Sequence, residues 1–460
     1  MLVAIASAAA VGCAGPSNDG AAPTQPIEIV APVETGPRWI TIDADAIETA
    51  RDARVAGVVG SVAVMEIDAG DIHALSQQMH VRHGRCGGFM VHDSLEAAHA
   101  ALDVRMPRGA IQYTIDNAAS AELMLAEVDE ANILSLIQDL SAMPSRYYTS
   151  SSGIAASTWL RDRWQSYAGG RDDVRVELFT HTDWPQKSVI ATITGTTLPD
   201  EVIVIGGHLD SINQGGGAAP GADDDASGIA TLSEAFRTMM ATNFRPNRTV
   251  KFMAYAAEEV GLRGSSDIAS TYEVDGVDVV GVLQLDMTNY KGSSGDIYLL
   301  DDYTSASQNT FVGNLIDTYL PEVTRGVTAC GYACSDHASW YQSGFRATMP
   351  AESRMSDSNP EIHSEFDTLD MSDNNASHAV KFARLTAVYI AEIAKGRPAE
   401  PVLPEPLPAP IDEGTGGDDG GGDDDGGGGL TSGCNAGGGA GLALGLVALF
   451  GMRRRRDARR

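Results

Sequence analysis

The chain has 460 residues, room for two or three folded units. Its formal net charge of −30 argues against a nucleic-acid partner, because phosphate contacts need a basic surface. Part of that charge belongs to a solvated Gly/Asp run near the C-terminus, so the sign says little about substrate.

From the N-terminus, MLVAIASAAAVGC is a short apolar segment ending in small residues. It resembles a signal peptide, although the usual basic start is missing. VGC at Cys13 also resembles a lipoprotein cleavage site, with Ala10 where leucine is commoner, so both forms of export stay open. AGPSNDGAAPTQP reads as flexible linker, giving a leader-and-linker region over 1–35. Residues 36–108 read as a small α+β unit, with strands in RWITIDAD, SVAVMEID and GGFMVHDS and helices in DIHALSQQMHVRH and SLEAAHAALD. It carries His73, His80, His83, His92 and His99, in no spacing that makes a compact ligand set.

Over 109–397 helix and strand patterns alternate. ANILSLIQDLSAM, GIAASTWLRDRWQSYA and SHAVKFARLTAVYIAEIA read as helices; SVIATITG, EVIVIGG, TVKFMAYAA and VVGVLQLDM read as strands. The alternation predicts an α/β fold with a mostly parallel central sheet flanked by helices on both faces. Ligands in such folds gather at the C-terminal ends of the strands. Cys330 and Cys334 in CGYAC either pair, as an exported protein allows, or stay as buried thiols; Cys86 and Cys434 have no evident partner.

The Pro-rich PAEPVLPEPLPAP and the Gly/Asp run make a linker over 398–430. Residues 431–460 hold Cys434, the apolar GLALGLVALFGM and RRRRDARR. The apolar run is short for a membrane span. Together these features resemble a bacterial C-terminal sorting signal, closest to the MYXO-CTERM type in which the cysteine is processed; a permanent single-span anchor is the alternative. In either case the arginines stay cytoplasmic while the rest is exported, secreted or held at the cell surface.

The chemistry concentrates in five segments, GGHLDS, APGADDDASG, YAAEEVG, LQLDMTN and NPEIHS. They supply His208, Asp224, Glu258, Glu259, Asp286 and His363. Two imidazoles and three carboxylates are a ligand set for two adjacent metal ions, with one carboxylate left over as a base. Asp224 is the candidate bridge, and its neighbours Asp223 and Asp225 are expected to point elsewhere and cap the helix beginning ASGIATLSEAF. Adjacent Glu258 and Glu259 leave the backbone in different directions, so one can ligate while the other reaches the attacking water. Asp210, two residues past His208, is placed to fix that imidazole's tautomer.

These motifs, between about Gln112 and Lys395, resemble the secreted bacterial leucyl aminopeptidases, a co-catalytic two-zinc family. The resemblance implies two zinc ions, with Asp224 bridging, His208 and Asp286 completing one site, and Glu259 and His363 the other. It also implies Glu258 as general base, Tyr332 as a group that polarises the substrate carbonyl, and a Cys330–Cys334 disulfide fixing the loop that presents Tyr332. Relatives carry an N-terminal propeptide that assists folding and restrains activity. RCGGFMVHDS resembles that segment, so 36–108 is expected to be a propeptide removed near Arg108 to Gln112, acting as the protein's own inhibitor. The implied substrates are peptides with a free N-terminus, and the implied catalytic domain is monomeric.

Relatives line the substrate pocket with aromatics just after the segment matching MPAES. Here Ala351, Met355 and Ser358 stand there, while Ile362 and Met287 keep an apolar wall, which implies a wider, softer pocket for leucine-like residues. Three rivals share the fold. Glutaminyl cyclases use one zinc, carboxypeptidase-like relatives need a cation such as Arg346 or Arg354 for a free carboxylate, and receptor-type relatives lose ligands that this chain retains.

Overall fold

The computed structural model describes residues 27–30, 34–85, 87–103 and 111–399. The leader, Cys13, Cys86, most of the expected propeptide junction, the linker from 400 onward and the sorting segment with Cys434 lie outside the described residues. Among the described residues no helix is long and apolar enough to cross a membrane.

The N-terminal unit builds a four-stranded antiparallel sheet from β1 (Pro37–Asp43), β2 (Arg54–Val59), β3 (Val62–Asp68) and β4 (Phe89–His92), in the order β2-β3-β1-β4. Helix α1 (Ile72–His83) joins β3 to β4, and α2 (Leu95–Ala100) follows. The inward residues Ile40, Ile42, Met65 and Ile67 pack with Leu75 and Met79 of α1. The same cluster contains Tyr148, Trp184, Ala257 and Val260 from beyond the unit, so the sheet's core continues into the main fold.

The main fold opens with α3 (Ala118–Glu127), α4 (Glu130–Ser141) and α5 (Ser151–Ala168). It continues through β5 (Val174–Phe179), β6 (Ser188–Ile193), β7 (Leu198–His208), α6 (Ala226–Ala241), β8 (Phe244–Pro246), β9 (Arg248–Tyr255), α7 (Arg263–Asp275) and β10 (Asp278–Gln284). After these come β11 (Ile297–Leu300), α8 (Ala306–Tyr319), β12 (Arg325–Thr328), α9 (His337–Gln342), β13 (Ala347–Thr348), β14 (Pro350–Ala351), α10 (Ala379–Ala394) and β15 (Gly396–Pro398). The central sheet runs β13-β10-β7-β9-β6-β5: its first four strands are parallel, and β6 and β5 close one edge antiparallel. It is thus a mixed sheet with the parallel core the alternation predicts.

The unbroken apolar runs have a simple cause: these strands are buried on both faces. Ile203 and Ile205 of β7 and Val250, Phe252 and Ala254 of β9 face one layer with Phe236, Leu315 and Tyr389 from α6, α8 and α10. The intervening Val202, Val204, Met253 and Tyr255 face the other, with Ile268 of α7 and Trp340 of α9.

Two domain edges differ from expectation. Ile29 bridges to Ser150 and the Glu28 carbonyl accepts from Ser151 N–H at 2.9 Å, so part of the segment read as linker is docked. At the far end β15 pairs with β8, which carries the fold past Arg397 to Pro398.

Candidate metal centre and substrate pocket

Three neighbouring parallel strands, β10, β7 and β9, end side by side. His208 is the last residue of β7, Glu258 and Glu259 follow β9 after a two-residue bend, and Asp286 lies two residues past β10. Ala257 and Met287 hold left-handed backbone (φ 57° and 59°), which turns the chain sharply beside each acidic residue. Gly207 permits the packing beneath: a Cβ there would lie 2.9 Å from the Leu285 carbonyl and 3.0 Å from Asp225.

The cluster is compact and buried. Asp224 lies between the two histidines, with Oδ1 2.9 Å from His208 Nε2 and Oδ2 3.2 Å from His363 Nε2. Asp286 Oδ1 is 3.4 Å from His208 Nε2, and Glu259 Oε2 is 2.9 Å from His363 Nε2. Ligating atoms of His208, Asp224 and Glu259 all fall within 4.8 Å of one another. Ligating atoms of His208, Asp225 and Asp286 are also within 4.8 Å of one another, but the Asp225 oxygens already accept from the N–H groups of His208, Gly228 and Met287. It caps α6, as its place in the sequence predicts. Asp223 likewise turns away, accepting from Asn289 N–H and the Asn359 amide.

Asp210 does more than its spacing implies. The partner of His208 Nδ1 is the Asp210 carbonyl at 3.1 Å, while the carboxylate stands 3.7 Å off. That carboxylate accepts from the backbone of Glu258 (3.0 Å) and Glu259 (3.2 Å), tying the β7 loop to the β9 loop.

Charge is balanced in favour of a cation. Burial opposes ionisation of Asp224, but hydrogen bonds from His208 and His363 outweigh it and hold its carboxyl well below the usual carboxylate range. Burial pushes Glu258 well above its ordinary value, with His208 opposing and Glu259 adding, and pushes Glu259 up to about 7 against His363. Burial disfavours a charged His208, yet Asp286 and Glu258 raise it well above the ordinary imidazole value. Among the described residues, Oε1 of Glu259 and Oδ1 of Asp286 are buried without a hydrogen-bond donor. An imidazole pulled toward protonation, a second imidazole beside it and carboxylate oxygens lacking donors are the signature of a site built to take positive charge, so this donor set fits zinc.

Beside the cluster lies a pocket of about 30 Å³, into which His208, Asp224, Glu258 and Asp286 open. Met287, Ala351, Met355 and Ser358 line it. Ile362 is not among the lining residues; Met349 and Cys334 complete the apolar wall instead. Ile362 immediately precedes His363, whose left-handed backbone (φ 58°) turns that ring toward Asp224, and the neighbouring side chain leaves on another side. The pocket is soft, with three methionines in its wall. Tyr332 lines a different cavity, of about 190 Å³, shared with Thr41, Phe89 and Met90 of the N-terminal unit. The Cys330–Cys334 disulfide is formed beside it.

Several supporting residues escape sequence reading. Asp367 accepts from the N–H groups of Asp223 and Asp224, which shapes the aspartate loop. Arg146 is fully buried and donates to the carbonyls of Leu209, Pro220 and Gly221, bracing the segment between His208 and Asp224. Ser188, His181 and Asp267 form a hydrogen-bonded chain (2.8 and 2.6 Å) of the kind serine hydrolases use. Here Ser188 is fully buried and its Oγ accepts from Ala256 N–H, so the chain anchors the bend before Glu258. No signal short of the fold marks Asp367 and Arg146, because their partners are backbone groups far away in sequence.

Comparison with known proteins agrees with this geometry. The profile of Peptidase family M28 matches residues 188–388. Leucine aminopeptidase 1 of Arthroderma otae is 36% identical over 311 residues, 64% of this chain and 81% of that protein. Probable leucine aminopeptidase 1 of Trichophyton verrucosum is 35% identical with the same coverage. Among solved structures, LapB from Legionella pneumophila matches with a TM-score of 0.70 at 30% identity, covering 78% of this chain and 100% of that one. The Legionella pneumophila LapA aminopeptidase matches with a TM-score of 0.69 at 25% identity, covering 78% and 99%. The chain belongs to peptidase family M28 and is an aminopeptidase.

Proposed function

We propose that the protein is an exported aminopeptidase holding two zinc ions, which removes bulky apolar, leucine-like residues from peptides with a free N-terminus. The observation that carries this reading is Asp224 lying between two imidazoles, with Glu259 and Asp286 on either side and Glu258 opening into the adjoining pocket. Asp224 would be shared, His208 and Asp286 would complete one zinc, and Glu259 and His363 the other. Bound there, the pair of ions would bind the substrate's amino group and carbonyl oxygen and acidify the attacking water.

The protein's own groups do the rest. Glu258, its carboxyl pushed up by burial, takes the proton from the attacking water and passes it to the leaving amine. Met287, Met349 and Met355 receive the apolar side chain, reshaping as it enters. The N-terminal unit is the inhibitor in this reading. Its Arg85 guanidinium sits 5.2 Å from the centre of the Tyr332 ring, so Tyr332 is held in the shared cavity until the unit leaves. Tyr332 then becomes free to act at the substrate carbonyl. The leader and C-terminal tail fit export and sorting, with the enzyme secreted or surface-held and its catalytic domain monomeric.

Glu258→Ala is expected to lose about 10²–10⁴-fold in hydrolysis of leucyl-p-nitroanilide while keeping its zinc by elemental analysis. N-acetylated leucyl substrate should resist the wild type. Near-normal turnover by Glu258→Ala would refute the base assignment, and cleavage of the blocked substrate would refute the aminopeptidase specificity.

A further inference from the structure

The two histidines of the centre are oriented by different parts of the molecule. A ligating imidazole needs its second nitrogen engaged, because that bond fixes the tautomer and the direction of the ring. His208 meets this need locally, through the carbonyl of Asp210 two residues on. His363 meets it across the chain: its Nδ1 lies 3.1 Å from Nδ1 of His80, 283 residues away in the N-terminal unit. The two rings stand 4.7 Å apart, centre to centre, tilted by 49°.

The bond is seated by its surroundings. His80 is in the last turn of α1, and the same stretch of that helix docks on the ligand loops. Ser76 is buried and donates to the carbonyl of Glu259 at 2.8 Å, and the Gln77 amide donates to the carbonyl of Gln214. Gln214 N–H in turn donates to the carbonyl of His363 at 2.9 Å. From the far side, Val91 N–H donates to the Gly261 carbonyl at 3.2 Å. Gly261 (φ 105°) has no room for a side chain, since a Cβ would stand 2.7 Å from Val91. The unit therefore grips both loops that carry Glu259 and His363. It contributes no residue to the pocket beside the cluster.

We propose that His80 is a positioning residue for the Glu259/His363 half of the metal centre, so that the N-terminal unit braces that half for metal loading as well as restraining the enzyme. The inference rests on the two-zinc reading above. For His363 to present Nε2 toward Asp224 and Glu259, its proton sits on Nδ1 and is donated to His80 Nδ1, which leaves the His80 proton on Nε2. Docking alone would need only Ser76 and Gln77, which bond backbone; His80 bonds the ring itself.

The test is competition for zinc between a chromophoric chelator and the full chain as wild type, His80→Ala and His80→Asn, with no activity readout. The wild type is expected to take up two zinc ions. His80→Ala should weaken one site by about 10–100-fold, the range for lost outer partners of metal ligands, and leave the other unchanged. His80→Asn, whose amide oxygen can accept in place of Nδ1, should recover most of that affinity. Adding His80→Ala to His363→Ala should leave the surviving site as it is in His363→Ala, since the partner is already gone. Unchanged affinities in His80→Ala, or an equal weakening of both sites that His80→Asn does not repair, would overturn the proposal while leaving the two-zinc reading intact. A wild type that never binds a second zinc would instead sink that reading and the inference with it.

Discussion

The histidines of this molecule divide between two regions that treat the same side chain in opposite ways. At the ends of β7, β9 and β10, His208 faces Asp224, Asp286 and Glu258, and the carboxylates raise it well above its ordinary value despite burial. In the N-terminal unit, His92 bonds the Thr41 hydroxyl at 2.9 Å and His83 bonds Thr49 at 2.8 Å. Burial without a facing carboxylate lowers His92 to about 4. A histidine becomes a candidate ligand when the fold opposes it with anions, and becomes a neutral structural group when it meets hydroxyls. The first region is arranged to attract a cation; the second keeps the His92 ring neutral.

The sharpest way to break this contrast is to remove one histidine from each region. His208→Ala is expected to lose metal and to cut aminopeptidase activity by more than about 100-fold, beyond the usual effect of an outer partner. His83→Gln, which can still bond Thr49, should keep its metal content and lose little stability. Zinc analysis and leucyl-p-nitroanilide kinetics on both variants check this. Equal losses in the two would dissolve the distinction.

A second effect concerns how so many buried carboxylates are tolerated at all. Arg146 answers them without pairing to any: its guanidinium donates to carbonyls, while Asp225, Asp367, Asp224 and Asp210 act on it through space against the cost of burial. Arg146→Met would remove the side-chain donor from the carbonyls of Leu209 and Pro220, while Gly221 keeps the Ala226 N–H, at roughly 1–3 kcal/mol for each carbonyl left unpaired. Urea unfolding should show a loss of that order, with metal affinity falling alongside. Wild-type stability in Arg146→Met would mean that the segment is held by other contacts.

Much of the first region was legible in the sequence, because His208, Glu258, Glu259 and Asp286 each follow an apolar run of the kind a doubly buried strand produces. His208, Glu258, Glu259 and Asp286 could be placed at strand ends, and Asp225 at a helix start, from local pattern alone. What was not legible depends on the tertiary path. The short β14 spans two residues and carries no period. Exposed β2, with a register shift between Val55 and Gly57, is apolar but has no buried face. The place of Tyr332 and the absence of Ile362 from the pocket follow from how loops pack, as do the roles of Arg146 and Asp367. His80 was visible only as one of five scattered histidines, and its neighbour His363 lies on another part of the chain.

The smallest effect separates the regions by pH. His92 titrates at about 4 in the folded protein but near its ordinary 6.5 when the chain is unfolded. Above about 6.5 both states are neutral and the stability of the unit is complete. As pH falls from there, the unfolded chain takes up a proton that the folded one refuses, so stability declines until about 4 and then levels. The decline should appear as faster amide exchange in the β1–β4 pairing, where Trp39 lies opposite His92. His92→Gln keeps a partner for Thr41 but cannot titrate, so its exchange in that window should be flatter by one proton's contribution. Other buried histidines, such as His337 and His378, are also lowered to about 4 and keep their share of the slope in both proteins. The difference between wild type and variant therefore isolates His92. If the two profiles coincide, burial at β4 is not what keeps this ring neutral, and the contrast with His208 rests on the carboxylates alone.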